Sequence, residues 1–253
     1  MTKFRVVIPS RYASSRLPGK PLLDIIGKPM IQHVYERALQ SDASEVIVAT
    51  DDQRIATAVE SFGGQVCMTS TEHQSGTDRL AEVVNTYGWQ DEDIVVNLQG
   101  DEPEMPAELI NQVADDMESH RDAVITTLSV AIDRQHDVFD PNVVKVVTDE
   151  AGYALYFSRA PIPWHRDELA DGETRLSDLS PFARHIGLYA YRAGFLREYI
   201  NWEPSKLELV ESLEQLRVLS SGRKIHVSRA QTPPGHGIDT QADLDRLIES
   251  LSV

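Results

Sequence analysis

The first 130 residues alternate between short apolar runs and amphipathic segments, and this alternation constrains the fold more than any other feature. The apolar runs predict strands at 4–8, 45–50, 65–68 and 94–98, with helices at 30–39, 53–62, 76–87 and 107–119 between them. Strands that are apolar throughout and separated by helices are typical of a parallel sheet covered on both faces. We therefore predict an α/β fold built on a doubly wound, mostly parallel sheet.

The remaining sequence is richer in strand signals. Strands are predicted at 124–131, 143–148, 154–158, 185–190 and 225–227, with an extended loop at 161–183. Helices are predicted at 193–199, 207–219 and 240–251. The length of 253 residues suits one large α/β domain rather than a multi-domain assembly.

Composition and charge argue against several classes of function. The chain has 24 basic and 40 acidic residues, a net charge of −16, and no cluster of Lys and Arg that would follow a nucleic acid backbone. It lacks an apolar run of about 18 residues that could span a membrane, and its N-terminal segment does not resemble a signal peptide. Cys67 is the only cysteine, which excludes an intrachain disulfide. These features predict a soluble cytoplasmic protein that binds neither a nucleic acid polymer nor a membrane.

The loop at 9–21 follows the first strand, at the sheet edge where open parallel sheets bind ligands. It brings Arg11, Arg16 and Lys20 together with small residues such as Ser15, a composition suited to holding phosphates. It is neither a Walker loop, because Lys20 is followed by Pro21, nor a G-x-G-x-x-G turn. A solvated loop with capping serines is the alternative; its position after the first strand favours phosphate binding.

Two aspartates are candidate metal ligands. Asp101 follows Gly100 after the fourth strand, and Asp239 lies near the C-terminus. Carboxylates facing bound phosphates would hold Mg²⁺ through oxygen. Each aspartate has a simpler explanation, since Asp101 could cap a helix and Asp239 could be the N-cap of the last one. The sequence does not show whether the two are close in space.

Three further segments have two interpretations each. Ser75, Gly76 and Arg79 open a helix and could read a nucleobase or simply cap that helix. Strict alternation puts His185, Gly187, Tyr189 and Tyr191 on one strand face, where they could contact a polyhydroxylated substrate or serve as core residues. The helical spacing of Glu208, Glu211, Glu214 and Gln215 is typical of a solvated helix face.

Seven segments, taken in order, resemble the 3-deoxy-manno-octulosonate (KDO) cytidylyltransferase family. They are 8–22, 73–79, 97–103, 156–159, 184–189, 213–217 and 237–240, and they span almost the whole chain. The resemblance implies a fold of the nucleotide-diphospho-sugar transferase type, with a smaller strand-rich part that pairs subunits into a homodimer. It also implies the Mg²⁺-dependent conversion of CTP and KDO into CMP-KDO and pyrophosphate, a step in lipopolysaccharide biosynthesis.

The resemblance also implies boundaries within a single cytidylyltransferase domain that spans residues 1–253. The nucleotide-binding half would cover about 1–125, and the sugar-binding and dimerisation part about 126–235. Residues 236–253 would supply a metal ligand and the C-terminal helix.

The family's residue roles can be transferred to matching positions. The nucleotide-phosphate loop of the family matches Arg11, Ser15, Arg16 and Lys20, and its cytidine segment matches Ser75, Gly76 and Arg79. Its Mg²⁺ carboxylates match Asp101 and Asp239. Its sugar-acid pocket matches Gln99, Arg159, His185, Tyr189, Glu214 and Gln215. Gln99 is expected to contact the nucleotide as well. Arg159 is the expected partner of the substrate carboxylate. The catalytic group would be Arg16, Lys20 and the two aspartates, with the cations balancing charge on the departing pyrophosphate.

Three rival functions stay open on the sequence. One is a cytidylyltransferase for a related acid, such as an 8-amino KDO analogue or a sialic acid. Another is a glycosyltransferase that consumes a nucleotide sugar and releases a nucleotide rather than pyrophosphate. The third is a nucleotide-binding dimer without catalytic activity. Pyrophosphate release in the presence of different acids separates the first rival from the other two, and release of a nucleotide from a nucleotide sugar separates the glycosyltransferase from the inactive dimer.

Overall fold

The computed structural model describes residues 2–13, 17–73, 75–169 and 175–251. Its strands are β1 (Phe4–Ser10), β2 (Asp24–Ile25), β3 (Lys28–Pro29), β4 (Glu45–Thr50), β5 (Gln65–Met68), β6 (Ile94–Asn97), β7 (Ala123–Ala131), β8 (Lys145–Thr148), β9 (Ala154–Ser158), β10 (Ala183–Arg192) and β11 (Lys224–Arg229). Its α-helices are α1 (Met30–Leu39), α2 (Gln53–Ser61), α3 (Gly76–Thr86), α4 (Ala107–Ser119), α5 (Gln135–Phe139), α6 (Ala193–Tyr199), α7 (Lys206–Glu211), α8 (Gln215–Ser220) and α9 (Gln241–Leu251), with a 3₁₀ turn at Lys20–Leu22.

A mostly parallel sheet forms the centre of the fold, as the sequence predicts. Its strand order is β11-β7-β10-β6-β1-β4-β5. β10 pairs antiparallel with both β6 and β7, whereas the other pairs along this path are parallel. The carboxyl ends of β1, β4 and β6 therefore meet at one edge of the sheet.

Helices cover both faces of this sheet, so the doubly wound prediction is confirmed. Val6 and Val48 face a core that includes Val34 of α1. Their neighbours Val7 and Ile47 face the opposite core, which includes Leu80 of α3. Successive residues of one strand thus enter different cores, which explains why these strands are apolar throughout.

The strand-rich second half extends the main sheet more than the sequence predicts. β7, β10 and β11 belong to the central sheet, and the strands off its path are β8 and β9. β10 makes this possible because it spans ten residues and pairs with β8 near Ala183 and with β6 near Tyr191. None of the described helices is both long and apolar enough to cross a bilayer.

The prediction of one helix over 207–219 is wrong. α7 ends at Glu211, and Ser212 takes the left-handed conformation (φ 51°, ψ 51°) before α8 begins. The break lets Glu208 accept two hydrogen bonds from Arg217, at 2.8 and 2.6 Å. In one continuous helix these residues would lie roughly 14 Å apart along the axis, too far for that pair. The hairpin β2–β3 and the short helix α5 were not predicted either.

Candidate functional site

Two adjoining cavities lie at the carboxyl edge of the sheet. The first, about 360 Å³, is lined by the loop after β1 and is called here the loop cavity. The second, about 440 Å³, is lined by Tyr189, Tyr191 and Tyr199 and is called the tyrosine cavity. Gly76, Gln99 and Glu214 line both, so ligands in the two cavities would lie next to each other.

Of the residues proposed from the sequence, many reach the loop cavity. Its lining includes Arg11, Lys20, Ser75, Gly76, Arg79, Gln99, Asp101 and Asp239. The tyrosine cavity is lined by Gln99, His185, Tyr189, Glu214 and Gln215. Ser15 and Arg16 lie outside the described residues. The structure therefore brings together distant segments; Lys20 and Asp239, for example, are 219 positions apart in the sequence.

Lys20 joins the two aspartates. Its Nζ donates to Asp101 Oδ2 at 2.9 Å and to Asp239 Oδ1 at 3.1 Å. Burial by itself would lower the pKa of Lys20, but the charge and hydrogen bond of Asp101, followed by those of Asp239, outweigh it and raise that pKa. The ammonium is thus held charged, and the two carboxylates already converge on one small cation.

The backbone positions these carboxylates. A Cβ at Gly100 would lie 2.4 Å from the Ser10 Oγ, so only glycine lets the end of β6 approach β1 this closely. The Ile238 amide donates to the Asp101 carbonyl at 2.9 Å, which fastens the segment before α9 to the end of β6. Asp239 is brought to the sheet edge by that contact.

Glu102 is a third carboxylate that the sequence reasoning did not select. Burial, followed by the charge of Asp101, raises its pKa to about 8. A Cβ at Gly237 would lie 2.9 Å from its Oε1. Its position next to Asp101 in the sequence was the available signal, but both residues lie in the turn after β6, where strand periodicity does not indicate which way a side chain points.

The start of α3 is a capped helix end that also faces the loop cavity. Ser75 Oγ accepts from the Asp78 amide at 3.1 Å, and Asp78 Oδ2 accepts from the Ser75 amide at 3.2 Å. Arg79 is buried and donates to Asp51 Oδ2 at 2.8 Å and to the Thr69 hydroxyl. Ser75 caps the helix, and Ser75, Gly76 and Arg79 also line the loop cavity. The capping and ligand-facing interpretations are therefore compatible.

Each cavity contains a buried polar atom without a hydrogen-bond partner among the described residues. In the loop cavity this atom is the Ser10 Oγ, and in the tyrosine cavity it is the Gln215 Nε2. A buried polar group without a partner is costly, by roughly 1–3 kcal/mol. Both atoms are placed to bond a polar ligand.

The aromatic strand face is arranged as strict alternation predicts. His185, Gly187, Tyr189 and Tyr191 all line the tyrosine cavity. Pairing with β7 jumps between Ile186 and Tyr189. The two residues between them have no partner in the strand register with β7, and an insertion of two residues leaves the alternation intact.

His185 is held as a neutral imidazole. Burial, followed by the charge of Arg184, lowers its pKa to about 3. Its Nε2 lies 2.9 Å from the Thr127 hydroxyl, which itself donates to a backbone carbonyl of β10. Since that hydroxyl proton is used, Nε2–H is the donor to Thr127 and Nδ1 is left as an acceptor.

Glu214 stands at the junction of the two cavities. Its Oε2 accepts from the Thr77 hydroxyl at 2.9 Å, and burial raises its pKa. Tyr191, whose pKa burial also raises, hydrogen-bonds Thr77 and Asn97. Glu208 and Glu211 do not form a solvated face with it: Glu208 is paired with Arg217, and Glu211 accepts from Ser158 Oγ at 2.6 Å.

Arg159 is not among the residues that line either cavity. Its Nε donates to the Glu211 carbonyl at 2.7 Å and its Nη1 to the Pro141 carbonyl at 2.9 Å. Arg184 lines the tyrosine cavity instead. The sequence reasoning missed Arg184 because alternation along β10 puts it on the face opposite His185, whereas the cavity extends around the end of the strand.

Comparison with known proteins adds the family. A family model described as cytidylyltransferase matches residues 5–225. A 3-deoxy-manno-octulosonate cytidylyltransferase of Yersinia enterocolitica is 58% identical over 244 residues, covering 96% of each chain. One of Idiomarina loihiensis is 60% identical over 243 residues, again covering 96% of each.

Solved structures agree at the level of the fold. A CMP:2-keto-3-deoxy-manno-octonic acid synthetase complexed with CTP superposes with a TM-score of 0.88 at 44% identity, with 99% of each chain covered. A cytidylyltransferase from Leptospira borgpetersenii has a TM-score of 0.62 at 16% identity, covering 100% of this chain and 87% of the other. The second likeness concerns the fold alone.

Proposed function

Because the chain belongs to the cytidylyltransferase family, we propose that it transfers the cytidylyl group of CTP to KDO, giving CMP-KDO and pyrophosphate. The product would be the activated sugar acid used in lipopolysaccharide biosynthesis. The observation that carries the proposal is the contact of the Lys20 ammonium with the Asp101 and Asp239 carboxylates in the lining of the loop cavity. It combines the charges that a metal–triphosphate complex requires.

The loop cavity is the proposed CTP site. Arg11, Lys20 and Arg79 place three cations around it, which suits a triphosphate in a chain whose net charge is −16. Ser75 and Gly76 at the start of α3 would contact the cytosine, and the Ser10 hydroxyl is available to a phosphate or ribose oxygen. Ser15 and Arg16 are expected in the same loop.

The tyrosine cavity is the proposed KDO site. His185 Nδ1, the Tyr189 hydroxyl and the Gln215 amide offer an acceptor and donors to a polyhydroxylated acid. Arg184 or Arg159 would bind its carboxylate, and Arg184 is the one that lines the cavity. Gln99 and Glu214 lie where the two substrates would meet.

Asp101 and Asp239 are the proposed ligands of Mg²⁺. Their oxygens fit it, because hard carboxylate ligands suit this ion and the pair already holds a cation in the form of the Lys20 ammonium. When bound, Mg²⁺ would neutralise phosphate charge and make a nearby hydroxyl more acidic.

The chain's own residues would chiefly position the reactants. The anomeric hydroxyl of KDO would attack the α-phosphorus as the bond to the β-phosphate breaks and pyrophosphate leaves. Gln99 and Glu214 would orient the hydroxyl, and Lys20 would stabilise charge on the leaving group. The walls of the two cavities would exclude bulk water from the reacting atoms.

The test is Asp101→Asn, followed by pyrophosphate release with CTP and KDO. We expect kcat to fall by about 100-fold or more while the KM for CTP changes much less, since the carboxylate acts mainly on the transition state. Asp24→Asn, an exposed carboxylate in the β2–β3 hairpin, is the matched control. Near-normal turnover of Asp101→Asn would contradict the assignment of Asp101 as a metal ligand.

The same assay with CTP, UTP and ATP against KDO, its 8-amino analogue and a sialic acid identifies both substrates.

A further inference from the structure

A second group of metal-ligating side chains lies on the side of the sheet where α4 packs against β11. Asp116 and His120 belong to the C-terminal turn of α4 and the residue after it, and His226 belongs to β11. Each offers one ligand atom, and these atoms all lie within 4.8 Å of one another. None of the three lines the loop cavity or the tyrosine cavity.

The Asp116 carboxylate lies against both imidazoles, and His120 Nδ1 also lies 3.0 Å from the Asp116 backbone carbonyl. Its Oδ1 lies 3.0 Å from His120 Nδ1, and its Oδ2 lies 2.7 Å from His226 Nδ1. Asp116 and His120 are four positions apart and therefore share a face of the helix. The two rings stack with centroids 3.5 Å apart and planes within 14° of parallel. Two neighbouring imidazoles and a carboxylate thus offer three ligand atoms to a metal ion, which binds the neutral form of each imidazole.

The surroundings fix one histidine and leave the other able to adjust. His226 and Asp116 are each 9% exposed at the side chain, whereas His120 is 31% exposed. Gly152, at φ +85°, leaves room for His226, because a Cβ there would lie 2.7 Å from its Nε2. Tyr153 packs edge-on against both rings. A small swing of His120 would suffice to spread the ligand atoms around an ion.

A solvent-accessible path to this cluster exists. A groove of about 430 Å³ is lined by Asp116 and His120 together with Glu108, Asp115 and Ser119. Its acidic residues would attract a divalent cation, and water in the groove would complete the coordination. Three protein ligands and an open position are a common arrangement for zinc.

We propose that Asp116, His120 and His226 form a second metal site, selective for an ion of the Zn²⁺ class and separate from the catalytic aspartates. Two imidazoles and one carboxylate favour Zn²⁺, Co²⁺ or Ni²⁺ over Mg²⁺, which prefers oxygen ligands. Around a tetrahedral zinc ion, neighbouring ligand atoms lie roughly 3.3 Å apart, given Zn–N distances of ~2.0–2.1 Å. The Asp116 oxygens lie 3.0 and 2.7 Å from the two imidazole nitrogens, and all three ligand atoms lie within 4.8 Å of one another. A bound ion would tie the end of α4 to β11.

The experiment uses the untagged, metal-stripped chain, with excess Mg²⁺ to occupy the catalytic aspartates. Titration with Co²⁺ is followed by its visible absorption. We expect one Co²⁺ per chain with a tetrahedral-type spectrum, displaced by Zn²⁺, and a melting temperature that rises with either ion. His120→Gln and His226→Gln should each weaken binding at least tenfold and abolish the rise.

Two matched variants separate this site from others. Asp239→Asn should keep the cobalt spectrum, and so should His136→Gln, which changes a histidine that is 83% exposed. Because His226 is buried, His120→Gln is the decisive variant if His226→Gln does not fold. The proposal is overturned if the wild-type chain binds no Co²⁺ under these conditions, or if His120→Gln binds it as the wild type does. Either result would leave a hydrogen-bonded cluster that only packs α4 against β11.

Discussion

At the scale of single residues, charge placement is what distinguishes this site from the rest of an acidic chain. Lys20 is one of 24 basic residues, and it lies between Asp101 and Asp239, two carboxylates that are far apart in the sequence. Each carboxylate keeps the ammonium charged, and the ammonium reduces the repulsion between the carboxylates. The ammonium therefore offsets part, but not all, of the charge of the two carboxylates.

His185 makes stability depend on pH in a definite direction. Its pKa in the folded chain is about 3, against about 6.5 when exposed. Between these values the unfolded chain binds a proton that the native chain does not. The contribution of the neutral, buried His185 to the free energy of unfolding is therefore fully present above about pH 6.5. It is lost as the pH falls toward 3, by up to about 1.4 kcal/mol per pH unit.

When the pH is lowered from 7.5 to 5, we expect the free energy of unfolding to fall less for His185→Gln than for the wild type. The measurement is the free energy of unfolding in urea at both pH values. His136→Gln serves as the control, because that histidine is exposed and its substitution should leave the pH dependence unchanged. Identical pH dependence in wild type and His185→Gln would refute the buried neutral form.

At the scale of elements, the break between α7 and α8 positions the residues that line the cavities. Ser212 turns the chain, Glu208 and Arg217 hold the two helices together, and Glu214 and Gln215 are thereby aimed into the site. Arg217 also lies over the Tyr199 ring, 4.5 Å from its centroid. The Arg217 and Glu208 side chains are 13% and 9% exposed, so this ion pair is largely buried.

We expect Arg217→Met to destabilise the chain by about 3–5 kcal/mol, because it leaves the Glu208 carboxylate buried without a partner. The double variant Glu208→Gln with Arg217→Met should recover most of that loss, since it removes the stranded charge. Urea unfolding of the two single variants and the double variant gives the coupling directly. Near-wild-type stability of the single variant would mean that the pair is solvated in solution.

At the scale of the whole molecule, the surface around α7 is the candidate for subunit pairing. Leu207, Leu209 and Val210 of this short helix are 45%, 67% and 85% exposed, and Leu155 on β9 is 63% exposed. A hydrogen bond from Ser158 to Glu211 links the two elements. Exposed apolar side chains gathered in this way are typical of an interface. We infer that this surface forms the homodimer implied by the resemblance.

Val210→Asp should convert a dimer of the wild-type chain into a monomer, because it would bury a charge in an apolar interface. The molar mass in solution, measured by light scattering after size-exclusion chromatography, tests this. Leu39→Asp is the control, since Leu39 is also 58% exposed but lies at the end of α1. A wild-type chain that is monomeric, or a Val210→Asp variant that still dimerises, would place the interface elsewhere or exclude it.

The central sheet and the kinds of residue at its carboxyl edge follow from local sequence patterns. The spacing of apolar residues is a local property, so the strands and helices of the first 130 residues, apart from the β2–β3 hairpin, could be predicted directly. The residues that follow each parallel strand then had to lie at one edge of the sheet. The alternation of His185, Tyr189 and Tyr191 was readable for the same reason.

Which of these residues come into contact depends on the packing of distant segments. The meeting of Lys20 with Asp239, the break at Ser212 that allows Glu208 to reach Arg217, and the approach of Arg184 rather than Arg159 to the tyrosine cavity all depend on contacts between distant segments. The free energy of such contacts comes from burial and charge pairing across the fold. Local periodicity indicates which residues are buried, but not which distant residues they contact.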